Sequence, residues 1–332
     1  MNSTRFSGIA LKGFASYTPG RVVDNAEVMR EADSFLDGTL LYRTLGSKER
    51  HAAEKNEMGS DLMFKVGTKI LQENDIDPST IDKLICSCDP QDQAAPDAAV
   101  ITQAKLALSC PAFGISMSCS GWLCGILIGS SFIVSGDNRI LVLAASTVGS
   151  KYSFNNPMHR GIFGDGTGGV LLERCNVRNR GIFSLELWSD GRFFKEIFAP
   201  HLWSDVPTQI PPGYAKTFYM SPDNRIFFDA IDTHIRPFYL RQYKTARVSK
   251  KDISHFIIHQ ASMPLFNHTL KSLDIPRDKV ISGYEKYGNT VSAELPILLD
   301  ENIRNGRIRE GDLVYLLTYG AGFTAAAMIA KF

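Results

Sequence analysis

The sequence predicts an α/β protein built of two similar halves, in which buried sheets are covered by helices. Three observations lead there. Short β-branched and aliphatic runs alternate with longer stretches of helical period. The runs are apolar at consecutive positions, the pattern of strands covered on both faces. A strand-then-helix pattern around 112–135 recurs around 255–273. The expected organisation is an N-terminal half, 1–175, followed by a C-terminal half, 176–332. At 332 residues the chain can bury a large core.

In chain order, strands are expected at "KLICSCDP" (83–90), "AFGISMS" (112–118), "RILVLAAST" (139–147), "GGVLLE" (168–173), "HFIIHQ" (255–260) and "LVYLLTY" (313–319). Between them, residues 57–74, 95–108, 120–135, 263–273 and 292–305 carry helical periodicity. The region from about 185 to 225 breaks the alternation. Its stretch "HLWSDVPTQIPPGYAKTFYMSPDNR" is rich in proline, aromatic and turn residues and reads as a surface excursion, either a site wall or a plain insertion.

Charge and composition exclude several classes. Lys plus Arg at 36 nearly balances Asp plus Glu at 35, so no polyanion-binding surface runs through the chain and no nucleic-acid partner is expected. The start, "MNSTRFSGIALKGFASYTPG", lacks a signal-peptide core, and no unbroken apolar run reaches the length of about 18 residues that spans a bilayer. A cytoplasmic protein off the membrane is the expectation. There the six cysteines should be thiols, and their spacing is not that of a zinc site, so no metal is expected.

One cysteine stands apart. Cys119 lies in "FGISMSCSGW", after a strand-like run and at the opening of a helix-like one. Backbone N–H groups and the dipole at a helix start favour a thiolate, and Ser118, Ser120 and Gly121 permit a sharp turn. Cys124, among Leu and Ile, reads as a buried inert thiol. A cysteine nucleophile needs a partner, and "FIIHQAS" offers His259 at the end of a strand. In "KYGNTVSAELP", Asn289 occupies a turn ahead of a helix. "TYGAGFTAAAMIAKF" places a Gly-Ala-Gly bend between two final strands, where backbone N–H groups could form an oxyanion hole. Taken alone, Cys119 is more often a core thiol, His259 a core histidine and Asn289 a helix cap, and the bend is equally an ordinary hairpin.

Together, and in this order, they resemble β-ketoacyl-acyl-carrier-protein synthase III and its relatives in the thiolase superfamily over nearly the whole chain. "CPAFGISMSCSGW" resembles the family's nucleophile segment, "IIHQAS" its His-Gln-Ala motif, "YGNTVSAELP" its Gly-Asn-Thr motif, and "GDLVYLLTYGAGFTAAAMIAKF" its closing hairpin. "GIFGDGTGGVLLE" resembles the family's glycine-rich lead into a strand, so its glycines are not a phosphate loop. The resemblance implies a thiolase-like five-layered α/β/α/β/α fold of two duplicated halves, usually a homodimer. It implies that Cys119 takes an acyl group from coenzyme A or an acyl carrier protein, with the N–H groups of Cys119 and Ala321 as oxyanion hole. Neutral His259 and Asn289 would then hold the enolate formed as a malonyl thioester loses carbon dioxide. No cofactor beyond these thioester substrates is implied.

Several positions depart from the family pattern. The segment 34–51 lacks the tryptophan that stacks on the adenine of coenzyme A in housekeeping members, although Arg43 and Arg50 remain. Arg160 resembles the arginine on the adenine's other face. Ser262 replaces the asparagine of His-Gln-Ala-Asn, and Lys271 matches a carrier-docking position. Ala95 stands where a phenylalanine from the partner subunit usually closes the acyl pocket, which predicts acyl chains longer than acetyl. These departures suggest a relative from secondary metabolism. Two alternatives remain: an acyltransferase to an oxygen or nitrogen acceptor, and a subunit of a heterodimeric condensing enzyme.

Overall fold

The structure is a computed structural model that describes residues 6, 8–31, 38–152, 154, 157–175, 180–199, 218–221, 223 and 225–332. The elements are β1 Ile9–Tyr17, β2 Arg21–Asp24, α1 Asn25–Glu31, α2 Gly38–Leu45, β3 Glu49–Ala52, α3 Gly59–Glu73, β4 Lys83–Asp89, α4 Ala98–Lys105, β5 Ala112–Gly114, α5 Gly121–Ser135, β6 Arg139–Ser146, α6 Val148–Lys151, α7 Pro157–Arg160 and β7 Gly166–Arg174. They continue with β8 Gly181–Ser189, β9 Ile197–Phe198, β10 Tyr219–Met220, α8 Arg225–Ala230, α9 Arg236–Ala246, β11 His255–Ile258, α10 Met263–Ser272, β12 Val280–Ile281, α11 Tyr284–Tyr287, α12 Glu294–Arg304, β13 Leu313–Gly320 and β14 Thr324–Lys331.

Two five-stranded sheets dominate, ordered β1-β7-β6-β4-β5 and β8-β14-β13-β11-β12. Their pairing repeats. In each sheet the first three strands run antiparallel and the last three run parallel. This alignment equates β4 with β11 and β5 with β12, so the unit that mirrors 112–135 is 280–304, not the 255–273 expected from sequence. The sequence pattern misled because β12 is only two residues long and leaves almost no apolar run to read.

Helices α5 and α12 lie between the sheets and share one apolar core with both of them. Helices α3 and α4 cover the outer face of the first sheet, and α9 and α10 that of the second. The layers are therefore α/β/α/β/α. Burial on both faces explains why α5, "GWLCGILIGSSFIVS", has no charged residue and no polar stripe. Its glycines let it touch the first sheet closely: a Cβ on Gly125 would stand 2.8 Å from Val142 Cγ1. Among the described residues, Ser118–Ser135 is apolar enough to pass for a membrane span, contrary to expectation, yet it is this helix between the sheets. The expected excursion also starts later than residue 185, because β8 continues to Ser189 and pairs with β14 throughout.

Candidate active site

Cys119 sits in a single 3-10 turn, Ser118–Ser120, between β5 and α5. The strand ends at Gly114, short of the predicted 118. Ser118 adopts φ of 45°, a left-handed conformation uncommon outside glycine that marks a strained turn at the thiol. The carbonyl of Cys119 accepts from Thr318 Oγ1 at 2.9 Å, which ties the turn to β13. Behind it the β13–β14 bend closes in: a Cβ on Gly320 would lie 3.0 Å from the sulfur, so only glycine fits there. Ala321 follows and lines the same chamber as Cys119.

His259 follows β11 and anchors its backbone N–H to Leu317 O at 2.8 Å. Its ring is fully buried, edge-on to Tyr319 with centroids 5.9 Å apart. Nδ1 lies against Glu294 Oε2 as a charge pair, although neither ring nitrogen makes a hydrogen bond of ordinary geometry. Burial opposes charge on the ring. The Cys119 thiolate and the Glu294 carboxylate more than offset it, and the pKa is pushed up to about 10. With the thiolate present this favours the protonated imidazole; the neutral form expected from the sequence concerns the later step, when Cys119 carries an acyl group. Glu294 is held in turn by the backbone N–H of Gln260, 3.1 Å from each carboxylate oxygen.

Asn289 is pinned from both sides. Its N–H donates to Ile162 O at 2.8 Å, and its carbonyl accepts from Gly164 N at 3.1 Å. The side-chain Oδ1 accepts from Val291 N at 2.8 Å, which leaves the NH₂ as the free end of the carboxamide. Val291 has φ of 52°, a costly conformation for a β-branched residue, so this turn too is strained. The glycine-rich segment supplies the clamp: Gly164 meets the Tyr287 carbonyl, and Gly166 opens β7, as the strand reading of "GDGTGG" expects.

Cys119, His259, Asn289 and Ala321 line one chamber of about 120 Å³, walled by apolar side chains that include Phe163, Phe198 and Phe218. Phe198 and Phe218 belong to the predicted excursion, whose described part thus walls the site; residues 200–217 lie outside the described residues. The other predicted site residues are not brought to the chamber lining. Arg50 is fully buried and donates to Val23 O, Ser47 Oγ and Gly161 O, a structural role rather than an adenine contact. Arg43 is exposed in the last turn of α2. Arg160, mostly buried, faces Glu31 at 3.5 Å. Ser262 is the residue before α10, Lys271 is exposed in that helix's last turn, and Ala95 is exposed before α4.

Two site residues escaped the sequence reading, Glu294 and Asp89. Glu294 had a signal: a lone carboxylate in "SAELPILL" stands at the start of a helix whose next five residues are apolar. Asp89 had none, since an Asp before Pro at a strand end reads as a turn.

Comparisons with known proteins place the chain in a family. Residues 113–191 match the family model for 3-oxoacyl-[acyl-carrier-protein] synthase III, and 243–332 match that of its C-terminal part. β-Ketoacyl-[acyl-carrier-protein] synthase III of Staphylococcus aureus is 30% identical over 328 residues, 97% of this chain and 98% of the relative. Among solved structures, the synthase III of Thermus thermophilus superposes with a TM-score of 0.86 at 28% identity, covering 98% of this chain and 99% of the other. OleA of Xanthomonas campestris shares the fold, with a TM-score of 0.86 at 18% identity and full coverage of both chains. The chain therefore belongs to the β-ketoacyl-[acyl-carrier-protein] synthase III family of condensing acyltransferases, on the thiolase fold.

Proposed function

We propose that this protein catalyses a decarboxylating Claisen condensation between an acyl thioester and a malonyl thioester. The observation that carries the reading is the convergence of one thiol, one imidazole and one carboxamide, from three distant parts of the chain, on a single apolar chamber. His259 takes the Cys119 proton, and the thiolate attacks the acyl donor. Backbone N–H groups of Cys119 and Ala321 hold the oxyanion. The carrier leaves as a thiolate and is protonated by water, while the proton on His259 stays between Glu294 and the chamber. Malonyl thioester then enters, and Nε2–H of His259 with Nδ2–H of Asn289 donates to its thioester carbonyl. Carbon dioxide departs, the resulting enolate attacks the acyl-cysteine, and collapse of that adduct expels the 3-oxoacyl product and restores the thiolate–imidazolium pair.

The reading extends to carrier-protein and coenzyme A thioesters as substrates, to a homodimer in which Ala95 borders the partner's acyl pocket, to Lys271 in carrier docking, and to the cytoplasm. Intact mass after incubation with acyl donors tests the loading step. Carbon dioxide release from malonyl thioester tests the second. The Glu294–His259 pair also suits a general base that delivers the acyl group to an oxygen or nitrogen acceptor. Acyl turnover without carbon dioxide release, given such an acceptor, would select that second reading.

A further inference from the structure

Asp89 is the counterpart of His259. β4 matches β11 in the repeated sheet topology, and Asp89 closes β4 as His259 follows β11. The two side chains therefore enter the chamber from opposite halves, at the strand ends where α/β sheets place their ligands. Asp89 is fixed there by its backbone, whose carbonyl accepts from Thr147 N at 2.8 Å.

One of its carboxylate oxygens is unmatched. Oδ2 is buried and has no hydrogen-bond partner among the described residues. Apart from His259, no described residue lining the chamber or the cavity beyond it is a cation. Burial pushes the Asp89 pKa up to about 6, so near neutral pH the group is still largely ionised. An unpaired ionised group in an apolar wall is costly unless a ligand completes it.

The ligand is the chain on Cys119. His259 and Asn289 face the extender's thioester carbonyl, so the acyl group must leave the sulfur on the other side, past Asp89. There the chamber adjoins a second cavity of about 420 Å³, which shares Asp89, Ser118 and Tyr152 with it and adds Gln91, Gln93 and Ser116. That cavity sets Gln91, Gln93 and Ser116 among apolar side chains such as Phe194, and Asp89 stands where it joins the chamber. Resting on the condensing function above, we propose that the acyl group loaded on Cys119 carries a hydrogen-bond donor, a hydroxyl or an ammonium, that pairs with the Asp89 carboxylate.

The test is a panel of acyl thioesters of matched length, unsubstituted or bearing a hydroxyl or amino group at successive carbons. Loading of wild-type protein is followed by intact mass and condensation by carbon dioxide release from malonyl thioester. A substituted donor should load with kcat/KM about tenfold or more above its unsubstituted match, because a site built to pair with a polar group discriminates strongly. Asp89→Leu should reverse that order, and Asp89→Asn should keep the hydroxyl preference while losing the amino one. Wild-type protein that loads unsubstituted donors at least as well as every substituted one overturns the inference, and that arm needs no variant to fold. Selective loading without carbon dioxide release would sink the condensation instead and leave the acyl subsite standing.

Discussion

Helices α5 and α12 occupy equivalent places in the two halves, side by side in the central layer, yet their sequences are opposites. α5 contains no charged residue, whereas α12 begins with buried Glu294 and carries Asp300, buried and bonded to Ser16 Oγ at 2.7 Å. Each follows a strained turn that holds a functional side chain, Ser118 before Cys119 in one half and Val291 after Asn289 in the other. The difference follows from what each turn must support. The Cys119 turn is tied to β13 through Thr318 and needs only a tightly seated helix behind it, which small residues provide. An imidazole that must keep a proton needs a counter-charge, and α12 brings one into the core.

The largest expected effect breaks the first half of this comparison. Cys119→Ala should give no acyl adduct by intact mass and lower condensation on the order of 10³-fold or more; an adduct on that variant would mean the nucleophile lies elsewhere. Asn289→Ala should still acquire the acyl mass but condense about 10²–10³-fold more slowly, since one enolate donor is lost. Equal loss in both half-reactions would give Asn289 a structural role.

Glu294→Gln sharpens the contrast between the helices. Removing the anion beside Nδ1 lowers the His259 pKa, so the protonated donor is lost at lower pH. Wild-type condensation should persist to higher pH than the variant's, because the Glu294 carboxylate raises the pKa of the ring. The basic limb of the variant should move to lower pH, with a deficit of about tenfold near pH 8 that shrinks in more acidic buffer. A profile merely scaled down at every pH would mean that the carboxylate serves only packing. On the other helix, Gly125→Val should cost about 1–3 kcal/mol in a thermal or denaturant melt by forcing α5 off Val142. Gly136, at the end of the same helix with φ of 130° and open space around it, controls for backbone conformation alone. The smallest effect concerns Ala95: octanoyl donors should load no more slowly than acetyl, and a steady fall with chain length would remove that residue from the acyl pocket.

Much of the layered fold was legible because strands and central helices buried on both faces write themselves as unbroken apolar runs. The strand at 139–147 and the helix at 120–135 emerged within a residue of their observed bounds. The repeat was legible only in part, because β12 is too short to leave a pattern. Cys119, His259 and Asn289 could be named from sequence because their motifs, undecided one by one, stand in the order of a known family. The sequence by itself determined which elements exist and which three groups were candidates for one site. Only the tertiary structure decided that Glu294 backs His259, that Arg50 is spent on carbonyls, and that Asp89 faces the sulfur's chamber. Those are contacts across tens to hundreds of residues, and the charge and burial they impose belong to the assembled space rather than to any stretch of chain.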